Sequence, residues 1–233
     1  KITKWYFGRE TPHLPPTVCK HMEKDLIVKD KNIIYIGGNQ AWFLPLGYKD
    51  ICEYGCGIVA VCNFLLCFFR AEYKSGSDIS KDTFISFVLS IYKKYFCILN
   101  NIFIKGLTGF ALAKGINKYF AENRIKMKAR WGHSLNILHK VKLSLQNDRP
   151  VILGIGPSLL KKSDGVDAVD IDTGNTVKLY SHYVTIYDCK DDAGDIFFYI
   201  SSWGRRYKVS YRDFCRYQRS TLFGFLLSNI LEI

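Results

Sequence analysis

Residues 58–69 read IVAVCNFLLCFF, apolar throughout except for Asn63, and no other stretch restricts the fold as much. The run has 12 residues, against about 20 for a helix that crosses a bilayer, so it belongs inside a protein core. Its apolar positions are too dense for a surface helix, which keeps one polar face. The expectation is a central helix over about residues 55–70, covered on all sides, and the rest of the chain must supply the cover. With 233 residues, 48% hydrophobic and 15% aromatic, there is material for one domain, or for two lobes sharing a core. The same composition excludes a collagen-like or disordered polymer.

The cover can be read in outline. Residues 1–36 form an irregular segment with Pro12, Pro15 and Pro16 and one short strand candidate at residues 32–36, just before Gly37-Gly38. A helix is expected over residues 82–99, capped by Asp78 or Ser80, with Phe84, Phe87, Val88 and Ile91 on one face. Two more are expected over residues 108–120, after the Gly106-Leu-Thr-Gly109 turn, and over residues 134–146, where Leu135, Leu138, Val141 and Leu145 are the apolar positions. At Arg149-Pro150 the pattern changes. A buried strand at 151–155 is followed by a turn at 172–176, an alternating strand at 177–187, a turn at 191–194, a strand at 196–201 and a last strand within 221–230. The reading is a single α+β domain: an irregular segment at 1–36, a helical lobe at about 37–149 and an antiparallel β lobe at about 150–233.

Thirty-three Lys and Arg against 21 Asp and Glu give a net charge of +12, which raises the expectation of an anionic partner. The excess sits in residues 114–149, with nine cations against Glu122 and Asp148, and in residues 202–220, with six against Asp213. No RNA-recognition or helix-turn-helix signature accompanies it, so these stretches read as solvated faces and no specific nucleic-acid site is expected. The Asp-rich stretch 164–172 lacks the spacing of a calcium loop and reads as a hairpin tip. Of the eight cysteines, Cys62, Cys67 and Cys97 lie in apolar runs; the thiols read as reduced, which favours a cytoplasmic setting. No Cys-x-x-Cys occurs, and Cys52 and Cys56 lack a second ligand pair, so no metal and no cofactor is expected. The opening KITKWYFGRE has no signal-peptide pattern, and a secreted mature chain would read the same.

Chemistry concentrates in Glu53-Tyr-Gly-Cys-Gly-Ile58, where Cys56 stands between Gly55 and Gly57 at the start of the apolar helix. Backbone N–H groups at a helix N-terminus favour a thiolate, and flanking glycines let a substrate backbone come close. Cys56 is therefore the candidate nucleophile. Of the five histidines, His13 and His21 fall in the irregular segment and His133 and His139 at the basic helix. His182, in Leu179-Tyr-Ser-His-Tyr-Val-Thr-Ile-Tyr187, falls in a strand whose alternation groups it with Tyr180, Val184 and Ile186. A rigid strand position suits a general base, and equally a satisfied core histidine.

Gly-Cys-Gly opening a helix, then Ser-His-Tyr-Val-Thr-Ile, then Ser201-Ser-Trp-Gly204 resembles the papain-like cysteine peptidase pattern. Within that superfamily it is most similar to the bacteriocin-leader-processing peptidases and their stand-alone bacterial relatives. His182 follows Cys56 by 126 residues and Ser201 by 145, near the spacing of about 130–150 in papain relatives. The resemblance spans about residues 40–215. It implies a papain-like fold with the central helix starting at the nucleophile, Cys56 attacking, His182 as base, Ser201 in place of the usual Asn or Asp that orients the imidazole, and Trp203 shielding the pair. Where relatives carry an oxyanion-hole Gln, about six residues before the Cys, this chain has Asp50, which would repel an oxyanion. Gln40 could fill that role if residues 44–53 form an inserted loop, with the Cys56 N–H as second donor. The implied activity is hydrolysis of a peptide or isopeptide bond in a peptide or protein substrate through an acyl-cysteine. Deamidation, acyl transfer, or an idle scaffold binding an anionic partner stay open.

Overall fold

The computed structural model describes residues 22–73, 78–100, 105–132, 136–157, 165–220 and 224–233. The proline-rich segment, His13, Cys19, His21 and His133, and the expected helix start at Ser134 and Leu135 lie outside the described residues.

The described chain begins with α1 (Met22–Asp25), β1 (Ile27–Asp30) and β2 (Ile33–Ile36), then a 3₁₀ helix (Gln40–Leu46), α2 (Lys49–Tyr54) and α3 (Cys56–Tyr73). Next come β3 (Ile79–Ser80), α4 (Lys81–Tyr95), β4 (Leu99–Asn100), β5 (Lys105–Gly106), α5 (Gly109–Glu122), β6 (Arg130–Trp131) and α6 (Ile137–Gln146). The second part holds β7 (Val151–Ile155), β8 (Val166–Asp170), β9 (Thr176–Leu179), β10 (His182–Asp192), β11 (Asp195–Ser202) and β12 (Arg205–Ser210). It ends with α7 (Tyr211–Ser220), α8 (Gly224–Leu227) and β13 (Ile230–Glu232). This is an α+β architecture built on an antiparallel sheet of eight strands in the order β6-β13-β7-β10-β11-β12-β8-β9.

The apolar run is the central helix. Ile58 through Cys67 are buried without exception, and α3 packs against β10 and β7 of the sheet and against α2, α4 and α5. Strand β7 shows why the sheet reads as a continuous apolar run. Ile152 belongs to the core around α3, whereas Val151, Leu153 and Ile155 belong to a second core that includes Ile137, Val141 and Leu145 of α6 and Phe214 and Tyr217 of α7. Both faces of the strand are covered, so polar alternation is lost. Helix starts follow the capping rules: Ser80, rather than Asp78, accepts the Thr83 N–H, and Thr108 accepts the Ala111 N–H. Asp78 instead pairs with Lys29.

Four expectations are corrected. The strand candidate at 32–36 is β2, but the described residues before it are not irregular, because β1 pairs with β2 as an antiparallel hairpin. The strand expected over 177–187 is two: β9 pairs with β8, β10 begins at His182, and Ser181 between them has φ of 47° and breaks the alternation, leaving Tyr180 outside the strand and exposed. Residues 166–170 of the Asp-rich stretch are strand β8, and the hairpin tip lies beyond them. The segment expected as a last strand contains the short helix α8, with β13 following at Ile230. Every cysteine within the described residues is a free thiol. No helix among the described residues is long and apolar enough to cross a membrane.

The end of β2 is tied into the centre of the molecule through Gly37, whose φ of 75° is left-handed and where a Cβ would lie 2.3 Å from Ser201 Oγ and 2.6 Å from Asn63 Nδ2. Gly174 has φ of 74° with open space around it. Urea unfolding should therefore separate backbone strain from overlap: Gly174→Ala is expected to lose about 1 kcal/mol, and Gly37→Ala about 3 kcal/mol or more because the overlap adds to the strain. Equal losses would show that the polar cluster yields freely.

Candidate active site

Gly55 joins α2 to α3, its N–H donating to Ile51 O at 2.8 Å and its carbonyl accepting the Val59 N–H at 3.0 Å. Cys56 is thereby the first residue of α3. A Cβ at Gly55 would meet Ile51 O at 2.4 Å, and one at Gly57 would press on Leu112 and Tyr183 from 3.0 Å. Both glycines are buried against protein and neither borders the neighbouring cavity. Their role is close packing of the helix start, which replaces the expected approach of a substrate backbone.

The backbone N–H groups of Tyr183, Gly57 and Cys56 itself favour a negative sulfur, yet loss of solvent outweighs them and pushes the Cys56 thiol above its ordinary range. The expected depression by the helix N-terminus is present as a contribution and loses to desolvation. His182 is displaced in the opposite sense. It is 8% exposed, and burial lowers its pKa to about 4. Near neutral pH the resting pair is a neutral thiol and a neutral imidazole.

His182 opens β10 opposite Ile155 of β7. Its ring stacks on Trp203 with centroids 4.5 Å apart at 24°, and its Nε2 lies 2.7 Å from the hydroxyl of Ser202. Ser201, expected in that role, is committed elsewhere. Its hydroxyl donates to Ile36 O at 2.6 Å and receives the Asn63 amide at 3.4 Å. The reason is the pleat: Ser201 stands opposite Thr185, and side chains alternate along β11, so the two serines point to opposite faces. Trp203 and Gly204 form the two-residue turn between β11 and β12, with φ of 49° and 73°. Left-handed backbone at a tryptophan costs about 1 kcal/mol or more. The turn is held by the His182 stack, by an edge contact with Tyr207 at 5.9 Å, and by hydrogen bonds in which Ile36 N–H donates to Gly204 O and Gly204 N–H donates to Gly38 O, both 3.0 Å.

Gln40 begins the 3₁₀ helix, and its Nε2 donates to Cys52 O at 2.8 Å. The residues between Gln40 and Cys56 are not a loop, since the 3₁₀ helix and α2 pack together and return the chain to the site. Asp50 is removed from the chemistry: its carboxylate accepts the Ile51 N–H and the Tyr92 hydroxyl and does not border the cavity. Cys56, His182, Gln40 and Trp203 line one cavity of about 700 Å³, walled by Leu107, Phe110, Trp131, Ile155, Leu226 and Leu227 and carrying one carboxylate, Glu53, and one ammonium, Lys178. Among the described residues no group of three or more His, Cys, Asp and Glu is placed to hold a metal ion.

Two residues of this site escape sequence reasoning. Ser202 is indistinguishable from Ser201 until the register is known. Asn63 could have been found, as a lone amide in an apolar helix seven residues after Cys56. It is 2% exposed, its Oδ1 accepts the Gly38 N–H at 2.9 Å and its Nδ2 reaches Thr185 and Ser201. Compared with known proteins, the chain matches no protein-family model, no curated protein and no solved structure.

The depressed His182 gives a signed pH effect. Unfolded, its pKa is near 6.5, and folded it is about 4, so between those values the unfolded state holds the extra proton. Stability is full above the upper value and falls with pH across the window, by about 3 kcal/mol at most. The urea midpoint of the native chain should drop further between about pH 7 and about pH 4.5 than that of His182→Gln, and identical drops would mean that the ring is solvated. Separately, Ser201→Ala is expected to lower stability by about 1–2 kcal/mol through the Ile36 and Asn63 bonds.

Proposed function

We propose that this chain is a thiol-dependent hydrolase of papain-like architecture, cleaving a peptide or isopeptide bond through an acyl-cysteine at Cys56. One observation carries the reading: Cys56, His182 and Gln40, drawn from three separate parts of the chain, line a single cavity with an apolar wall. With Nε2–H donating to Ser202, the other ring nitrogen is bare and takes the thiol proton as sulfur attacks the substrate carbonyl. A neutral imidazole is the form that step requires, so proton transfer accompanies attack instead of preceding it as a stored ion pair. The developing oxyanion is met by the Cys56 N–H and by the Gln40 amide N–H not used on Cys52. His182 returns the proton to the leaving amine. Water, deprotonated by the same nitrogen, then releases the acyl group and restores the thiol.

A second reading has its own observation. Burial raises the Cys56 thiol and lowers His182, the reverse of the shifts that make a resting thiolate–imidazolium pair, and this favours a papain-like scaffold that binds without turnover. A peptide-based thiol electrophile separates the two. In a hydrolase Cys56 is acylated or alkylated within the cavity, His182→Ala slows the reaction by about 100-fold or more, and Ser202→Ala slows it by about tenfold with little loss of stability. Equal rates in the native chain and His182→Ala leave the binding scaffold as the function.

A further inference from the structure

From the rim of the Cys56 cavity a basic face runs outward over α5 and the segment that follows it. Phe110 lines the cavity and is 56% exposed. Lys114 and Lys118 follow it at intervals of four residues, which keeps them on one stripe of α5, and both are exposed. After α5 the burial alternates. Arg124, Lys126, Lys128 and Arg130 are exposed, whereas Ile125 and Met127 pack on the core and Ala129 is buried. This segment is fixed along α5 by Asn117, whose side chain accepts the Ala129 N–H at 2.7 Å and donates to Ala129 O at 2.8 Å. Trp131, next after Arg130, is again a wall of the cavity.

Carboxylates near these six cations have other partners as well, although Glu122 is also close enough to Lys118 to feel its charge. Glu122 pairs with Lys94 at 2.6 Å and accepts the Tyr95 hydroxyl, while Glu232 pairs with Lys140. Lysines on an edge strand ordinarily serve to block pairing with another sheet, and β6 is such an edge. That purpose accounts for Arg130. It does not account for Lys114 and Lys118, which lie on a helix and continue the charge back to the cavity.

We propose that this face is an exosite for an acidic stretch of a polypeptide whose neighbouring apolar residues enter the Cys56 cavity. Both halves of that chemistry are continuous here: an apolar wall at Phe110 and Trp131 with few charges inside, and a row of exposed cations, only partly offset by Glu122 near Lys118 and Glu232 opposite Arg130, starting one helical turn away. The proposal rests on the hydrolase reading for what happens in the cavity, but the binding it describes can be measured without turnover.

The test uses Cys56→Ala chain, a fluorescein-labelled peptide with a Glu-rich half and a Leu/Phe-containing half, and the same peptide with Gln for Glu. The Glu peptide should bind at least about tenfold more tightly at low salt, with the difference shrinking as salt rises. Reversal of Lys114, Lys118, Lys126 and Lys128 to Glu should abolish the preference, while reversal of Arg212 and Arg216 on α7 leaves it. Equal affinity for the Glu and Gln peptides, or an unchanged preference in the fourfold variant, would overturn the exosite. Tighter binding of oligo(dT) or of phosphatidylserine vesicles than of the Glu peptide would also overturn it, in favour of a nucleic-acid or membrane surface. Failure of the hydrolase reading shows differently: the Glu peptide binds, and native chain leaves it and its thioester analogue intact.

Discussion

A single amide inside an apolar helix organises the centre of this molecule. Asn63 occupies a helix that is buried on every side, where an unsatisfied amide would cost about 1–3 kcal/mol, so its partners cannot move independently. Those partners are the Gly38 N–H and the hydroxyls of Thr185 and Ser201. They lie on the segment after β2 and on two adjacent strands, and Ser201 in turn holds Ile36 O. The segment that carries Gln40 is thus registered against the strands that carry His182 and Ser202. Gly37 has no side chain because this cluster fills the space. Ser201, read from its motif as a partner of the imidazole, belongs to this clamp.

At the site itself, solvent exclusion decides between opposing influences. Three N–H groups at the start of α3 and from β10 act on the Cys56 sulfur in the direction a nucleophile needs, and burial overrides them. The same exclusion keeps His182 uncharged, with Trp203 on its face and Ser202 at its Nε2. On the proposed hydrolase reading, a site so arranged would hold its reactants neutral until the reaction creates charge, and the donors would then act in a medium that weakens them little. The left-handed Trp203 belongs to the same arrangement: the strain of that turn places an indole where it covers the imidazole.

The parts of the fold that were legible are those in which local chemistry and tertiary packing agree. The dense run of α3, the cap at Ser80, the helix start near Thr108 and the buried strand β7 all follow from residues within one element. Of the β1–β2 hairpin, the second strand was expected and the first was not, since β1 is only four residues, Ile27-Val-Lys-Asp30, too short to show an alternation. The break at Ser181 was hidden because a single positive φ leaves no mark on the pattern of apolar residues around it. For the site, Cys56 and His182 could be singled out by residue type and position, and Gln40 only through the resemblance, as the nearest glutamine upstream of Cys56. The choice between Ser201 and Ser202 could not be made, since one step along a strand reverses the face and only the pairing of Thr185 with Ser201 fixes it. The balance at the sulfur was equally out of reach, since it depends on how much water the surrounding walls admit.

The Asn63–Ser201 and Ser201–Ile36 bonds join residues 138 and 165 positions apart in the chain. Closing loops of that length costs entropy that grows with the logarithm of their size, and contacts so remote in sequence are characteristic of slow folding. No fragment that stops short of Ser201 contains both ends of the clamp. The clamp behind Cys56 is therefore among the contacts of this fold whose closure costs most chain entropy.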